Sequence, residues 1–493
     1  MKIARLTFDR RFPWLLLLAW ALACAGYLVF SLNLAGPGYP LDDAWIHQTY
    51  ARNLVLHGEW AYTPGQSSSG STSPLWTAML ALGYVLRLPP ISWAVVLGLF
   101  SQASLMLAAA AWFRRRNPGL PSGVLWVAAL ILLEWHLLWA AFSGMEILLF
   151  SLMACVVLLL LASSQPRYLW VGLLVGLGCW IRPDALTLLL PAALVLSFQS
   201  GASIRQRLIW TLHLTLGVGL LVLPYLWFNK SIAGSYWPST FYAKQAEYAI
   251  YRTQPVLSRF LSQWIQPMTG AGLILLPGAL WSTWQSLSNR DWLRLAPPLW
   301  AASFLASYAL RLPATYQHGR YAMPILPVLI VLGVEGLVQF CSRLREGPRA
   351  RILSRTWSAS LAAVMILFLP LGARAYARDV AVIETEMVET ARWIEANTDG
   401  HALIAAHDIG ALGYFGNRPI LDLAGLISPE VIPIMRNEAA LYNFLEKNEA
   451  DYLMTFPGWY PELTADLVPV FRSAGTFSPR QGGENMAVYR LVP

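Results

Sequence analysis

Charged residues are scarce in this chain, and their scarcity excludes most soluble folds. Asp, Glu, Lys and Arg make up 13% of the 493 residues, whereas about a quarter of an average soluble domain is charged. Hydrophobic residues make up 56%, and the mean hydropathy is +0.49. Apolar runs of roughly 18 residues or more recur, as membrane-spanning helices require. The composition therefore predicts an α-helical polytopic membrane protein.

Several signatures of other chemistry are also missing. The sequence has no Gly-rich phosphate loop and no His spacing of the zinc-peptidase kind, so nucleotide-driven and zinc-peptidase reactions find no support. It shows no internal repeat, which many transporters have. The four cysteines stand in or beside apolar runs without metal-ligand spacing. We expect them to be small packing residues rather than ligands or disulfide partners.

The net charge of +8 comes largely from short basic clusters between apolar runs, the pattern that orients membrane helices. Lys2, Arg5, Arg10 and Arg11 precede the first run and predict a cytoplasmic N-terminus in a multi-pass protein of the inner or plasma membrane. About eleven spans are expected. Their approximate positions are 13–34, 91–113, 122–141, 146–163, 168–181, 185–199, 208–228, 260–283, 295–310, 322–340 and 357–373.

The composition changes after Arg374, which divides the chain into a membrane domain, 1–374, and a second domain, 375–493. Helical patterns there alternate with short apolar strands, which predicts a small α/β domain. Helices are expected at Asp379–Asn397, Pro429–Met435 and Ala439–Glu446, and strands at His401–His407, Asp451–Thr455 and Met486–Leu491. An odd number of spans places this domain outside the cytoplasm.

The first outer loop, at about 35–90, carries two adjacent carboxylates, Asp42 and Asp43. From Asp43 to His57 the apolar residues follow a helical period, which predicts an amphipathic helix lying on the bilayer. The apolar run 75–86 is short for a span, and whether it crosses or dips into the membrane is open. An Asp-Asp pair can simply cap a helix and favour its dipole. At the membrane rim it is also a candidate catalytic pair.

Under this topology the outer face collects many ionisable residues, although loops on that side are usually poor in Lys and Arg. A lipid-linked phosphate at the membrane surface would explain the cations, because Arg and Lys bind phosphate oxygens. Ordinary snorkelling or ion pairing is the alternative for each residue. The set comprises Asp42, Asp43, His47, Arg52, Asn53, Glu146, Arg182, Asp184, Lys230, Lys244, Arg311, His318 and Arg320.

Motifs spread through the chain resemble those of the GT-C glycosyltransferases. The resemblance is closest to the cell-wall arabinofuranosyltransferase group and its uncharacterised bacterial relatives. In the first loop the matching residues are Leu41–His47, Tyr50–Leu54, Pro64-Gly65 and Thr72–Trp76; further along they are Ser143–Glu146, Arg182–Asp184, Pro238–Lys244, Gly319–Tyr321, Asp408–Tyr414 and Asp422–Leu426. The stretch Gln66–Ser73 departs from the family pattern because it is Ser-rich, so the resemblance does not imply an acceptor.

The resemblance implies transfer of a sugar, with a pentofuranose as one candidate, from a polyprenyl phosphate. The acceptor would be a cell-envelope glycan, lipid or protein outside the cytoplasm. A carboxylate would remove the acceptor proton, and a single base opposite the leaving group gives inversion. We expect Asp42 to be this base, with Asp43 orienting it, contacting the acceptor or sharing the role. The residues expected to bind substrate or phosphate are His47, Arg52, Glu146, Arg182, Asp184, Tyr242, Lys244, His318 and Arg320.

Metal dependence is open at this point, because Asp42, Asp43 and His47 are too few donors to define a divalent-cation site. No other cofactor and no nucleic-acid partner is expected. Two other functions compete with the glycosyltransferase hypothesis. A lipid or oligosaccharide flippase would have internal repeats and charges at mid-membrane. A non-catalytic envelope scaffold would need no carboxylate pair at the membrane rim.

Overall fold

The structure is a computed structural model that describes residues 12–343 and 347–491. The basic residues Lys2, Arg5, Arg10 and Arg11, used above to orient the chain, lie outside the described residues. Helices dominate as far as residue 397. They are α1 (Phe12–Leu34), α2 (Asp42–His57), α3 (Pro74–Val85), α4 (Pro90–Arg116), α5 (Pro121–Leu133), α6 (Trp135–Phe142), α7 (Ile147–Leu161), α8 (Tyr168–Cys179), α9 (Leu189–Phe198), α10 (Ile204–Ala233), α11 (Ser239–Glu247), α12 (Val256–Ile265), α13 (Ala271–Ser288), α14 (Trp292–Arg311), α15 (Tyr316–Gly319), α16 (Leu326–Arg343), α17 (Pro348–Val382) and α18 (Glu389–Asn397).

The helices include long apolar elements, in keeping with a multi-pass membrane protein. Within the described residues, five helical stretches are long and apolar enough to cross a membrane, and a sixth arises if α5 and α6, bent by 46° at Glu134, form one span. Shorter apolar helices, such as α7 and α8, accompany them. The count of eleven spans therefore stays a prediction. The four cysteines are free, and Cys155 and Cys179 are buried, as expected of packing residues.

The lipid-facing surface is visible on α1 and α10. Large apolar side chains on these helices point away from the protein: Trp14 is 73% exposed and Trp227 is 74% exposed. A soluble protein would not leave apolar surfaces of this extent in water. A bilayer therefore covers these helices.

The helix α2 does not lie on the bilayer, and the prediction was wrong on this point. Every residue from Ala44 to Ala51 is buried, so no side of the helix in this stretch faces lipid or water. Trp45 packs against Tyr414 and Phe415, with ring centroids 4.7 Å apart in each pair. The helical period was read correctly, but α2 is covered on one side by the rest of the first loop, where His47 contacts Ser71 and Thr77, and on another by α19.

One uninterrupted helix leads from the membrane domain into the second domain. It starts with α17, continues through a π-helical stretch at Ile383–Val388 and ends with α18 at Asn397. Beyond it lie β3 (Ile404–Ala406), α19 (Gly410–Phe415), β4 (Ile420–Asp422), α20 (Glu438–Lys447), β5 (Tyr452–Thr455), α21 (Pro461–Thr464), β6 (Pro469–Arg472), α22 (Phe477–Arg480) and β7 (Ala487–Arg490). A separate hairpin of β1 (Ala61–Thr63) and β2 (Gln66–Ser67) belongs to the first loop.

The five strands after β2 form a mixed sheet in the order β4-β3-β5-β7-β6. The strand β3 pairs in parallel with β4 and β5, while β7 pairs antiparallel with β5 and β6. The expected strands at 401–407, 451–455 and 486–491 and the expected helix at 439–446 coincide with observed elements. The helix expected at Pro429–Met435 is only a short 3-10 turn, Pro429–Val431. The strands β4 and β6 and the helix α19 were not predicted.

A buried ion cluster ties α4, α14 and α16 together at the end of the bundle away from the first loop. Glu335 is 1% exposed. Its carboxylate accepts hydrogen bonds from Arg116 Nε at 2.9 Å and from Arg294 Nη1 at 2.7 Å. Removing the carboxylate would take away the buried counter-charge of Arg116 and leave Arg294 with only the partly exposed Asp291.

We expect Glu335→Ala to lower the free energy of unfolding by about 3–5 kcal/mol, the usual cost of breaking a buried ion pair. Thermal unfolding of the detergent-solubilised chain measures this. Glu446→Ala is the control, because Glu446 is exposed. Equal melting temperatures for both variants would contradict a structural role for Glu335.

Candidate functional site

The structure contains a cavity of about 920 Å³ between the first loop and the helical bundle. Its wall is formed by the first loop, the start of α7, the turn at Arg182, α11, the end of α14 and the turn before Arg320. Of the residues predicted to form the site, those that line it are Asp43, His47, Glu146, Arg182, Asp184, Tyr242, Lys244 and Arg320. Asp42, Arg52 and His318 do not line this cavity.

Asp43 is the carboxylate of the pair that faces the cavity. Its Oδ2 lies 2.5 Å from Arg320 Nη2 and 3.1 Å from Lys244 Nζ. Burial by itself would raise the pKa of Asp43, but the charges of Lys244 and Arg320 outweigh burial and hold the pKa below its ordinary value. Asp43 is therefore ionised at neutral pH.

Arg320 and Lys244, the two cations beside Asp43, can also bind a further anion. Arg320 is 4% exposed, and among the described residues its Nε and Nη1 have no hydrogen-bond partner. Lys244 lies 3.4 Å from the Tyr321 hydroxyl, and the charge of Asp43 raises the pKa of Lys244 although burial opposes this. A buried guanidinium with unused donors normally needs a partner. The cavity is thus suited to an anionic ligand.

Arg182 anchors a second charged group on the opposite wall. Its Nε donates to Asp184 Oδ2 at 3.1 Å, its Nη2 donates to the Tyr308 hydroxyl at 2.5 Å, and its Nη1 lies 3.6 Å from Glu146 Oε1. The Tyr308 hydroxyl in turn donates to Asp184. The 3-10 turn Pro183–Leu188 follows Arg182 directly and holds Asp184 at the rim. Arg182 is therefore fixed in position before any ligand binds.

His47 and Glu146 form a polar wall beside Asp43. His47 Nδ1 lies 3.0 Å from Ser71 Oγ and 3.2 Å from Thr77 Oγ1, and His47 Nε2 lies 3.8 Å from Glu146 Oε2. Within the part of the chain that the structure describes, this Glu146 oxygen has no hydrogen-bond partner. A buried acceptor without a donor is suited to a ligand hydroxyl.

Asp42 and Arg52 lie outside the cavity, because both contact the second domain. Asp42 Oδ2 accepts from the Gly410 amide at 2.6 Å, and Asp42 Oδ1 accepts from the Ala411 amide at 2.7 Å. Arg52 donates to the Tyr414 carbonyl at 2.7 Å and to the Gly413 carbonyl at 3.1 Å. Arg52 was expected to bind substrate or phosphate, but its guanidinium is directed at α19 and does not line this cavity.

His318 also points away from the cavity, contrary to expectation. Its Nε2 lies 2.8 Å from Asp379 Oδ2 on α17, and its ring packs against Trp135 and Trp139. Gln317, His318 and Gly319 all have left-handed backbones, with φ of 54°, 58° and 66°. Left-handed non-glycine residues are strained and are kept only where surrounding contacts enforce them. The His318–Asp379 pair thus stabilises the turn Gln317–Gly319, which places Arg320 at the cavity wall.

The three donors considered for a divalent cation do not converge. Asp42 accepts from backbone amides, Asp43 faces two cations, and His47 contacts hydroxyl groups. Across residues 12–343 and 347–491, no group of three or more His, Cys, Asp or Glu side chains is arranged to hold a metal ion.

The prediction missed Tyr308 and Tyr321. Both line the cavity, and their rings stack with centroids 5.3 Å apart. The signal for Tyr321 was its place beside Arg320 in a matching motif. Tyr308 could have been found from its hydroxyl at the outer end of the expected span 295–310.

A further buried acid, Asp408, lies near Asp42 at the contact between α2 and the second domain. Burial raises the pKa of Asp408 to about 8, and the negative charge of Asp42 adds to this rise. Among the described residues, Asp408 Oδ2 has no hydrogen-bond partner. Burial likewise raises the pKa of Asp42 to about 6, although the amides of Ala411 and Gly410 lower it.

These values predict a pH-dependent stability. A carboxyl whose folded-state pKa is raised favours the folded chain at low pH, and this contribution is lost as the pH rises through the folded-state pKa. We expect the melting temperature to fall as the pH rises from about 4, the ordinary carboxyl value, to about 8, and Asp408→Asn to flatten this fall. Thermal unfolding at several pH values measures it. The exposed Asp466→Asn is the control, and an unchanged slope in Asp408→Asn would contradict the assignment.

Comparison with known proteins identifies the fold of this chain. A family model described as "Domain of unknown function (DUF8728)" matches residues 375–489. No curated protein matches the chain. The structure is similar to ArnT from Cupriavidus metallidurans bound to undecaprenyl phosphate, with 15% identity, a TM-score of 0.61, and coverage of 97% of this chain and 98% of that chain.

Two other solved structures are similar. The Archaeoglobus fulgidus oligosaccharyltransferase tethered with an acceptor peptide is 10% identical, with a TM-score of 0.60 and coverage of 96% of this chain and 74% of that chain. The arabinofuranosyltransferase AftD from Mycobacteria is 17% identical, with a TM-score of 0.49 and coverage of 96% and 40%. ArnT and the oligosaccharyltransferase are GT-C glycosyltransferases. The chain has the same fold as these two proteins, so the predicted GT-C fold is confirmed, while the closer likeness to the arabinofuranosyltransferase group stays a prediction.

Proposed function

We propose that this protein is an inverting membrane glycosyltransferase that transfers a sugar from a polyprenyl phosphate to an acceptor hydroxyl on the outer side of the membrane. The observation that carries the proposal is the buried Arg320, which has unused donors and stands beside Lys244 and Asp43 in a large cavity. The similar ArnT structure has undecaprenyl phosphate bound. The acceptor is a cell-envelope glycan, lipid or protein.

The cations hold the donor phosphate. Arg320, Lys244 and Arg182 line one cavity, and their side chains offer the charge-assisted hydrogen bonds that phosphate oxygens accept. Negative charge grows on the phosphate as the bond to the sugar breaks. Fixed cations stabilise that charge without reorganising, which lowers the barrier. Arg182 is suited to this because Asp184, Tyr308 and Glu146 already hold it.

The base is a carboxylate of the Asp42–Asp43 pair, and we favour Asp43. A base must come within hydrogen-bond reach of the acceptor hydroxyl, and Asp43 faces the cavity. Both oxygens of Asp42 accept from backbone amides outside it. A donor phosphate that binds Arg320 and Lys244 adds negative charge near Asp43. This raises the pKa of Asp43 from its depressed value and makes it a stronger base.

His47 and Glu146 bind hydroxyls of the sugar or of the acceptor. The unpartnered Glu146 oxygen accepts, and the His47 ring is oriented by Ser71 and Thr77. Tyr242, 40% exposed at the rim, contacts the substrate as it enters. Inversion follows from one base acting on the face opposite the leaving phosphate.

We expect the purified protein to form product from at least one radiolabelled donor in a panel of undecaprenyl-phosphate and decaprenyl-phosphate pentoses and hexoses. Asp43→Asn should lower the rate by about 10²–10⁴-fold, the usual effect of losing a general base. Arg320→Gln should lower it by about 10²–10³-fold because a fixed charge at the phosphate is lost. Product formation is measured by thin-layer chromatography.

Asp466→Asn and Arg480→Gln, at exposed positions of the second domain, serve as matched controls. Undecaprenyl phosphate binding should persist in Asp43→Asn and weaken in Arg320→Gln. No product from any donor, together with unchanged function of Asp43→Asn in cells, would rule out the proposed reaction.

A further inference from the structure

The second domain contacts α2 through both ends of one short helix, α19. The Asp42 carboxylate accepts from the first two amides of α19, at Gly410 and Ala411. Ten residues along α2, the Arg52 guanidinium donates to the carbonyls of Gly413 and Tyr414 near the end of α19. One helix thus carries an anion for the start of α19 and a cation for its end.

The charges match the polarity of α19. The first amides and last carbonyls of a helix have no partners within it, and they carry partial positive and negative charge respectively. Packing adds to these contacts. Trp45 packs against the rings of Tyr414 and Phe415, and the Tyr62 hydroxyl donates to the Ile409 carbonyl just before α19. The pairing therefore fixes both the position and the rotation of α2.

The rotation of α2 decides where Asp43 points. Successive residues of an α-helix are about 100° apart around the axis, so Asp42 held against α19 leaves Asp43 directed at Lys244 and Arg320. A displacement of about 1 Å in a reacting group can cost about 100-fold in rate. Contacts outside the cavity can therefore control the chemistry inside it.

We propose that Asp42 and Arg52 are positioning residues that, together with α19, form a clamp through which the second domain holds Asp43 in its working orientation. This inference rests on the proposed function. The second domain is then a required part of the active site, although none of its described residues lines the cavity.

A substitution of Gly410, the first residue of α19, tests the clamp from the side of the second domain. A Cβ on Gly410 would lie 2.6 Å from Asp42 Oδ2 and 2.7 Å from Asp42 Cγ, closer than real Cβ atoms approach. Gly410→Ala therefore pushes α19 off Asp42 without changing a charge or a cavity residue. A Cβ on Gly400, in the same domain, would meet no atom within 4 Å, so Gly400→Ala is the matched control.

The experiment compares full-length Asp42→Ala, Arg52→Ala, Gly410→Ala and Gly400→Ala. Backbone amide hydrogen exchange of α2 is expected to speed up by about 10-fold or more in the first three and to stay unchanged in Gly400→Ala. The turnover rate should fall by about 10–100-fold in the first three. The Kd of undecaprenyl phosphate should remain within about 2-fold, because Arg320, Lys244 and Arg182 are untouched.

The double variant Asp42→Ala with Gly410→Ala should be no worse than the poorer single variant, since both changes break one contact. If Asp42 were the base, Asp42→Ala would abolish turnover while Arg52→Ala and Gly410→Ala remained active. That pattern, or unchanged exchange of α2 in Gly410→Ala, would overturn the clamp. An active wild-type protein with such a pattern leaves the proposed function intact, whereas an inactive wild-type protein counts against the function itself.

Discussion

The ion pairs of Asp43 with Arg320 and Lys244 are the interaction on which the cavity depends. Three charges that are well separated along the chain meet at the cavity wall, where their side chains are largely buried and an unpaired charge would be costly. The pairing draws the first loop, α11 and the Arg320 turn together. It also leaves a positive excess, because two cations face one carboxylate. Under the proposed function, an anionic substrate completes the balance.

The two adjacent acids have different surroundings and therefore different properties. The fields of Lys244 and Arg320 lower the pKa of Asp43, whereas burial raises the pKa of Asp42 to about 6. Asp43 is on the cavity side of α2 and Asp42 is on the side of the second domain. A pair that looks symmetric in the sequence is thus divided by helix geometry into one residue that faces a substrate and one that faces a protein domain.

The strained turn before Arg320 links the same site to the long helix α17. His318 and Gln317 are left-handed, a conformation that costs free energy, and the His318–Asp379 pair holds the turn in place. The helix that carries Asp379 continues without a break into the second domain. The second domain is therefore connected to the cavity in two ways. It contacts α2 through α19, and it is continuous with α17, which contacts the turn Gln317–Gly319 before Arg320.

The sequence by itself determined the membrane class, the resemblance to the GT-C fold and most of the charged cavity residues, because run length, charge content and short motifs are local properties of the chain. Glu146, Arg182, Lys244 and Arg320 were found in this way. Only the tertiary structure decided that α2 is buried, that Asp43 rather than Asp42 faces the cavity, and that Arg52 and His318 bond elsewhere. Those outcomes depend on which distant segment covers each side of a helix. Periodicity shows that a helix has two faces, but the covering segment, here α19 with its exposed amides and carbonyls, is set by the packing of the whole chain.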